Sequence, residues 1–160
     1  MIGDILQDAL FAAIAAIGFT SISRPPRLAY LFCGLIAAAG HSARYLLMSD
    51  TFTGMHILPA TFLASLLIGC LSVFLSPIAR FPAETCLFPS LLPMIPGMYA
   101  YKAFGAFVMC IMAESSASFD SVFFLFAHNA LICGSILLAM VVGATIPIFI
   151  FSHISFQATR

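Results

Sequence analysis

Two stretches of this chain put ionisable side chains inside long apolar runs. In Gly40-His41-Ser42-Ala43-Arg44-Tyr45, His41 and Arg44 are three residues apart and Tyr45 follows His41 by four. On a helix all three share a face. Lys102 follows Gly97 of Leu92-Pro93-Met94-Ile95-Pro96-Gly97-Met98-Tyr99 by little more than one turn. Charges at membrane depth are costly, so they face a bundle interior or a polar cavity and find partners. A cation there attracts a carboxylate, either the protein's own or a ligand's. Histidine, which titrates near neutral pH, adds proton chemistry.

Each of these residues has a structural reading beside the chemical one. Arg44 sits about one turn from a helix end and can snorkel to the headgroups. Asp4 and Asp8 lie near the same membrane side, so an Asp8–Arg44 ion pair rivals substrate binding. Lys102 can pair with Glu114 or with a carboxylate on a partner chain. Alternatively it draws an anionic substrate to the helix start after Gly97, where amides and dipole already favour a carboxylate. His128 and Asn129 fall about eight residues into the last apolar run, roughly 12 Å deep. An interhelical hydrogen bond is the plain reading of that pair. A proton relay through His128 or His41 stays open, and Asn129 is kept as a candidate substrate contact.

Pro93, Pro96 and Gly97 must break the helix that carries them. Proline removes an amide donor and clashes with the preceding turn, and glycine permits angles other residues avoid. In hydrocarbon such freed backbone is tolerated only where protein or a water-filled cavity satisfies it. Transporters use broken helices of this kind to bind substrate near the bilayer midplane.

Composition sets the frame for these residues. Of 160 residues 62% are apolar and 8% charged, with a mean hydropathy of +1.13. Soluble domains carry about 25% charged residues, so this is an all-α integral membrane protein. Zero net charge gives no support to nucleic-acid binding, and no basic cluster indicates anionic-lipid recognition. The N-terminus has acids where a signal peptide has positive charge, so the first apolar stretch is expected to remain as a helix.

Five spans can be drawn, about 4–22, 28–48, 54–75, 85–111 and 119–147, within one transmembrane domain. The fourth contains the break near its centre. Split in two, neither half would reach the roughly 20 residues a span needs. The last apolar run continues to Phe151, which predicts tilt, a kink near Pro147 or a projecting end. Arg24, Arg27, Arg80 and Arg160 fall on one side. Arg44 lies on the other with Asp4, Asp50, Glu114 and Asp120. The positive-inside rule then puts the N-terminus outside and the C-terminus in the cytoplasm.

Small residues should hold the bundle together. Thr61, Ser65 and Gly69 recur every fourth residue, and Gly34 with Ala38, Ala130 with Gly134, and Ala139 with Gly143 offer further seams. The five scattered cysteines (Cys33, Cys70, Cys86, Cys110, Cys133) read as free thiols packed like small hydrophobes. Enzyme signatures, a phosphate loop, metal-ligand spacing and any cofactor motif are missing. An odd helix count without inverted halves suggests half of a larger assembly.

These residues resemble the threonine/serine exporter family. The likeness runs through Gly40-His41-x-x-Arg44, the seam from Thr61-Phe62-x-Ala64-Ser65 to Gly69, and Pro93-x-x-Pro96-Gly97-x-x-Ala100-Tyr101. Within the family the chain is most similar to the small, separately encoded YjjB-like half. The resemblance implies an exporter of a small carboxylate, succinate or threonine and serine, in a bacterial inner membrane. It also implies a larger YjjP-like membrane subunit as partner. His41, Arg44, Pro93, Pro96 and Gly97 carry over as family-like positions. Tyr101 belongs to the matching stretch, while Lys102 and Asn129 rest on the local argument. A non-transporting scaffold subunit that stabilises its partner is the alternative.

Overall fold

The computed structural model describes residues 2–79, 81–113 and 115–152. Arg80, Glu114 and Arg160, used above for sidedness and for a Lys102 partner, lie outside the described residues. The helices are α1 (Ile2–Ser23), α2 (Arg27–Met48), α3 (Ile57–Ala79), α4 (Glu84–Leu91), α5 (Gly97–Ile111) and α6 (Ser116–Ile150), with a 3-10 turn at Leu92–Met94. Among the described residues there is no strand. Four helices are long and apolar enough to cross a membrane, and Glu84–Met94 with Gly97–Ile111 makes a fifth if that pair is one broken span. The all-helical, multi-pass architecture is therefore as expected. The chain divides into two compact units, Met1–Met94 with Ala139–Arg160, and Ile95–Leu138.

Local chemistry explains the boundaries. Ser23-Arg24-Pro25-Pro26 ends α1 with Arg24 in the left-handed region (φ 46°) and starts α2 from the extended Pro26. Span three begins later than Gly54, because Gly54 (φ +56°) belongs to the turn that follows α2. There the amides of Phe52, Thr53 and Gly54 all converge on the carbonyl of Ser49. At its other end α3 runs past Pro77 to Ala79 and does not stop near 75. Pro77 cannot donate to the carbonyl of Val73, but the Ser76 hydroxyl does so at 2.9 Å. A neighbouring hydroxyl thus repairs the proline defect.

In the first unit, glycines set how closely helices approach. A Cβ on Gly34 would stand 3.1 Å from Ile17, and one on Gly40 would run into Ile68. A Cβ on Gly69 would reach 2.6 Å from the Ala144 carbonyl oxygen. One on Gly143 would meet Ser65 Oγ and the Phe62 carbonyl. The Thr61–Ser65–Gly69 face is therefore a real seam, with Gly143 as its counterpart. Gly134 has nothing within 4 Å of a built Cβ and makes no such seam.

Short α4 is buried through Cys86, Leu87, Pro89, Ser90 and Leu91, and packs against α1, α2 and α3. With its 3-10 turn it is 11 residues long (84–94), roughly 16 Å, too short to cross alone. In the second unit α5 buries only Ala103 and Ala106. There Phe107 packs on Phe126 at 5.6 Å, and Phe119 stacks on Phe123 at 5.7 Å.

Candidate functional site

The first unit brings two helices and the 3-10 turn before the break to one polar cluster. His41 is 8% exposed on α2. Its Nδ1 lies 3.0 Å from Oδ2 of Asp8 on α1. Its Nε2 lies 3.5 Å from Nη2 of Arg44, one turn further along α2. Arginine has only donors, so Nε2 accepts, and Nδ1 carries the proton and donates to Asp8. Arg44 then reaches with Nη1 to the carbonyl of Met94, 3.0 Å away.

Two sequence expectations change here. Arg44 does not direct its charge only outward to headgroups, since it is half-buried and holds backbone of the break. Asp8 bonds to His41, which stands between it and Arg44. The Met94 carbonyl needs an outside donor because its residue is the last of the 3-10 turn, and α5 restarts only at Gly97. A continuous helix would have bonded it to an amide four residues on.

The break itself has a definite form. Pro96, with φ −77° and ψ 63°, is the centre of an inverse γ-turn in which Gly97 N–H donates to the Ile95 carbonyl at 2.8 Å. The Tyr99 and Ala100 amides both donate to the Pro96 carbonyl at 3.1 Å, which starts α5. Gly97 takes no left-handed angle, and a Cβ there would meet nothing within 4 Å. Its glycine is required neither by backbone conformation nor by close packing among the described residues.

Of the remaining candidates, Tyr101, Lys102, His128 and Asn129 lie in the second unit and Pro93 in the first. Tyr101 is 76% exposed. Lys102 is exposed on α5 and has no ion pair or hydrogen bond among the described residues. Asn129 is buried, but its amide donates at 2.7 Å to Leu125 of its own helix, and among the described residues it makes no interhelical hydrogen bond. His128 is exposed and stacks on Phe124, ring centroids 5.9 Å apart. Pro93 belongs to the 3-10 turn beside Met94.

Sequence reasoning also missed a thiol pair, Cys33 on α2 and Cys86 on α4, with Sγ atoms 3.0 Å apart. Fifty-three residues separate them, and no periodicity signals the meeting. Among the described residues no group of three or more His, Cys, Asp or Glu could hold a metal.

Four helices long and apolar enough to cross a membrane, with a bent helix pair interrupted by prolines and held by Arg44 through the Met94 carbonyl, define a multi-pass membrane protein. A family model described as Threonine/Serine exporter, ThrE, matches residues 8–150. The chain belongs to that family, which is one of transporters and not of enzymes. It is 37% identical over 150 residues to an uncharacterized protein of Haemophilus influenzae, an alignment covering 92% of this chain and 48% of that protein. The chain thus spans about half the length of this curated relative. No solved structure matches it.

Proposed function

We propose that this chain is the membrane half of a small-carboxylate exporter, with succinate, threonine or serine as substrate. It works with a larger YjjP-like membrane subunit in a bacterial inner membrane, with its C-terminus cytoplasmic. The observation that carries this reading is Arg44 at the interrupted span. All three substrates bear a carboxylate, which guanidinium recognises through paired N–H donors. Arginine has five such donors, and the contacts to Met94 and His41 engage two of them. A carboxylate that draws Arg44 from Met94 leaves that carbonyl without its donor. Binding is then coupled to rearrangement of the break, because an unmet buried carbonyl is costly. The relative's additional length, about as much again as the part this chain matches, is compatible with a second half beside this one.

A scaffold role is the second reading, and one observation favours it: Arg44 holds the last carbonyl before the break and so has a bracing task of its own. Intracellular succinate, threonine and serine are measured in cells expressing this chain, its partner, or both. Export requires that only the pair lowers one of these pools. A pool lowered as far by the partner alone, at matched abundance, would leave only the scaffold. For sidedness, a single cysteine at Ser116 should react with an impermeant reagent from outside, and one at Ser76 should not.

A further inference from the structure

We infer that Cys33 and Cys86 form a reversible dithiol–disulfide pair that, when oxidised, locks α4 onto α2. The two thiols are fully or almost fully buried, at 0% and 1% exposure. Their 3.0 Å Sγ separation is about one ångström more than the ~2.05 Å of a disulfide bond, so closing the bond needs only a small movement. The polar contacts also orient the pair. Cys33 Sγ faces Cys86 Sγ, while Cys86 S–H faces the Ala29 carbonyl at 3.8 Å. Around them Ser90 Oγ donates to the Cys33 carbonyl at 3.0 Å, which fixes the register of α4 against α2. Pro89 leaves the Thr85 carbonyl without an intrahelical amide, and Cys33 Sγ lies 3.6 Å from it. The other three cysteines are only part-buried, and no contact between them is found among the described residues.

The chemistry balances with a peroxide as oxidant. Cys33 sulfur, losing its proton, attacks one peroxide oxygen, and the O–O bond breaks. This gives a sulfenic acid and one water. Cys86 sulfur then attacks the sulfenic sulfur, the S–O bond breaks, and hydroxide leaves as a second water with the Cys86 proton. Two thiols lose two electrons and hydrogen peroxide gains two. A dithiol reductant reverses the step by exchange. Because neither sulfur is exposed, oxidation proceeds when the α2–α4 seam opens, and the bond then holds it shut. Since α4 leads directly into the Leu92–Met94 turn, the lock acts on the first limb of the break. The cross-link is independent of the transport reading. Its effect on efflux rests on that reading.

The test uses the full chain in membranes, treated with hydrogen peroxide, quenched with N-ethylmaleimide, digested and analysed by mass spectrometry. A Cys33–Cys86 linked peptide should be the dominant disulfide, and it should disappear with dithiothreitol. Dominant linkage through Cys70, Cys110 or Cys133, or over-oxidation of Cys33 without linkage, would overturn the pair. With the partner co-expressed, peroxide should slow efflux reversibly in the native chain and leave Cys86→Ala unaffected. A cross-linked protein that exports as fast as the dithiol form would overturn the lock. Absence of efflux even from the reduced protein would count against the exporter reading alone.

Discussion

Arg44 Nη1 donates to the carbonyl of Met94 at 3.0 Å, joining the C-terminal end of the second helix to the last residue of the 3-10 turn before the break. The side chain that gives this span its charge is the one that satisfies backbone the prolines set free. Structure and chemistry therefore share one group, and a substitution must separate them.

Asp8 and His41 should behave as a unit. Asp8→Ala and His41→Ala each strand the other partner of the 3.0 Å contact. A double-mutant cycle in detergent-solubilised protein should show coupling of about 0.5–3 kcal/mol. Additive losses would mean that the contact contributes nothing.

Two glycines should respond oppositely to alanine. Gly143→Ala forces a methyl onto Ser65 and the Phe62 carbonyl, costing about 1–3 kcal/mol from overpacking. Gly134→Ala meets nothing and should stabilise its helix by roughly 0.5–1 kcal/mol. Thermal unfolding compares the two directly, and equal shifts would refute the seam.

Ser76→Ala should cost about 1–3 kcal/mol by leaving the Val73 carbonyl unpaired beside Pro77. Pro77→Ala should rescue it, since the restored amide reaches the same oxygen. Failure of that rescue in thermal unfolding would show that the hydroxyl is not the repair.

Lys102→Met should leave folding and abundance intact, because the ammonium has no partner among the described residues. If the charge attracts a carboxylate, apparent substrate affinity should weaken by roughly tenfold, the equivalent of about 1.4 kcal/mol. Loss of protein with no change in affinity would instead mark a structural ion pair.

Much of the bundle could be read from the residues because membrane spans announce themselves by length and apolarity. Pro25-Pro26 and Ser49-Asp50 bracket α2 closely enough that its expected limits, 28–48, differ from Arg27–Met48 by one residue. Span three was harder, since a positive-φ turn at Gly54 and a proline repaired by Ser76 both look different once hydrogen bonds are known. His41 and Arg44 were recognisable as a shared face. That His41, not Arg44, takes Asp8 depends on how α1 is rotated against α2, which apolar periodicity does not encode. Asn129 illustrates the same gap, because a buried amide can satisfy itself on its own helix. The Cys33–Cys86 meeting depends on where α4 docks, which lies beyond any local pattern.

The most direct measurement is the concentration dependence of efflux with Arg44→Lys in the presence of the partner subunit. Lysine keeps the charge and can still reach backbone, but it lacks the planar fork that grips a carboxylate. The expected result is a protein at native abundance whose half-saturating substrate concentration rises by about tenfold or more, in keeping with loss of a charge-assisted contact. Native abundance with unchanged half-saturation would contradict a carboxylate site at Arg44 and leave that residue as a brace for the break alone.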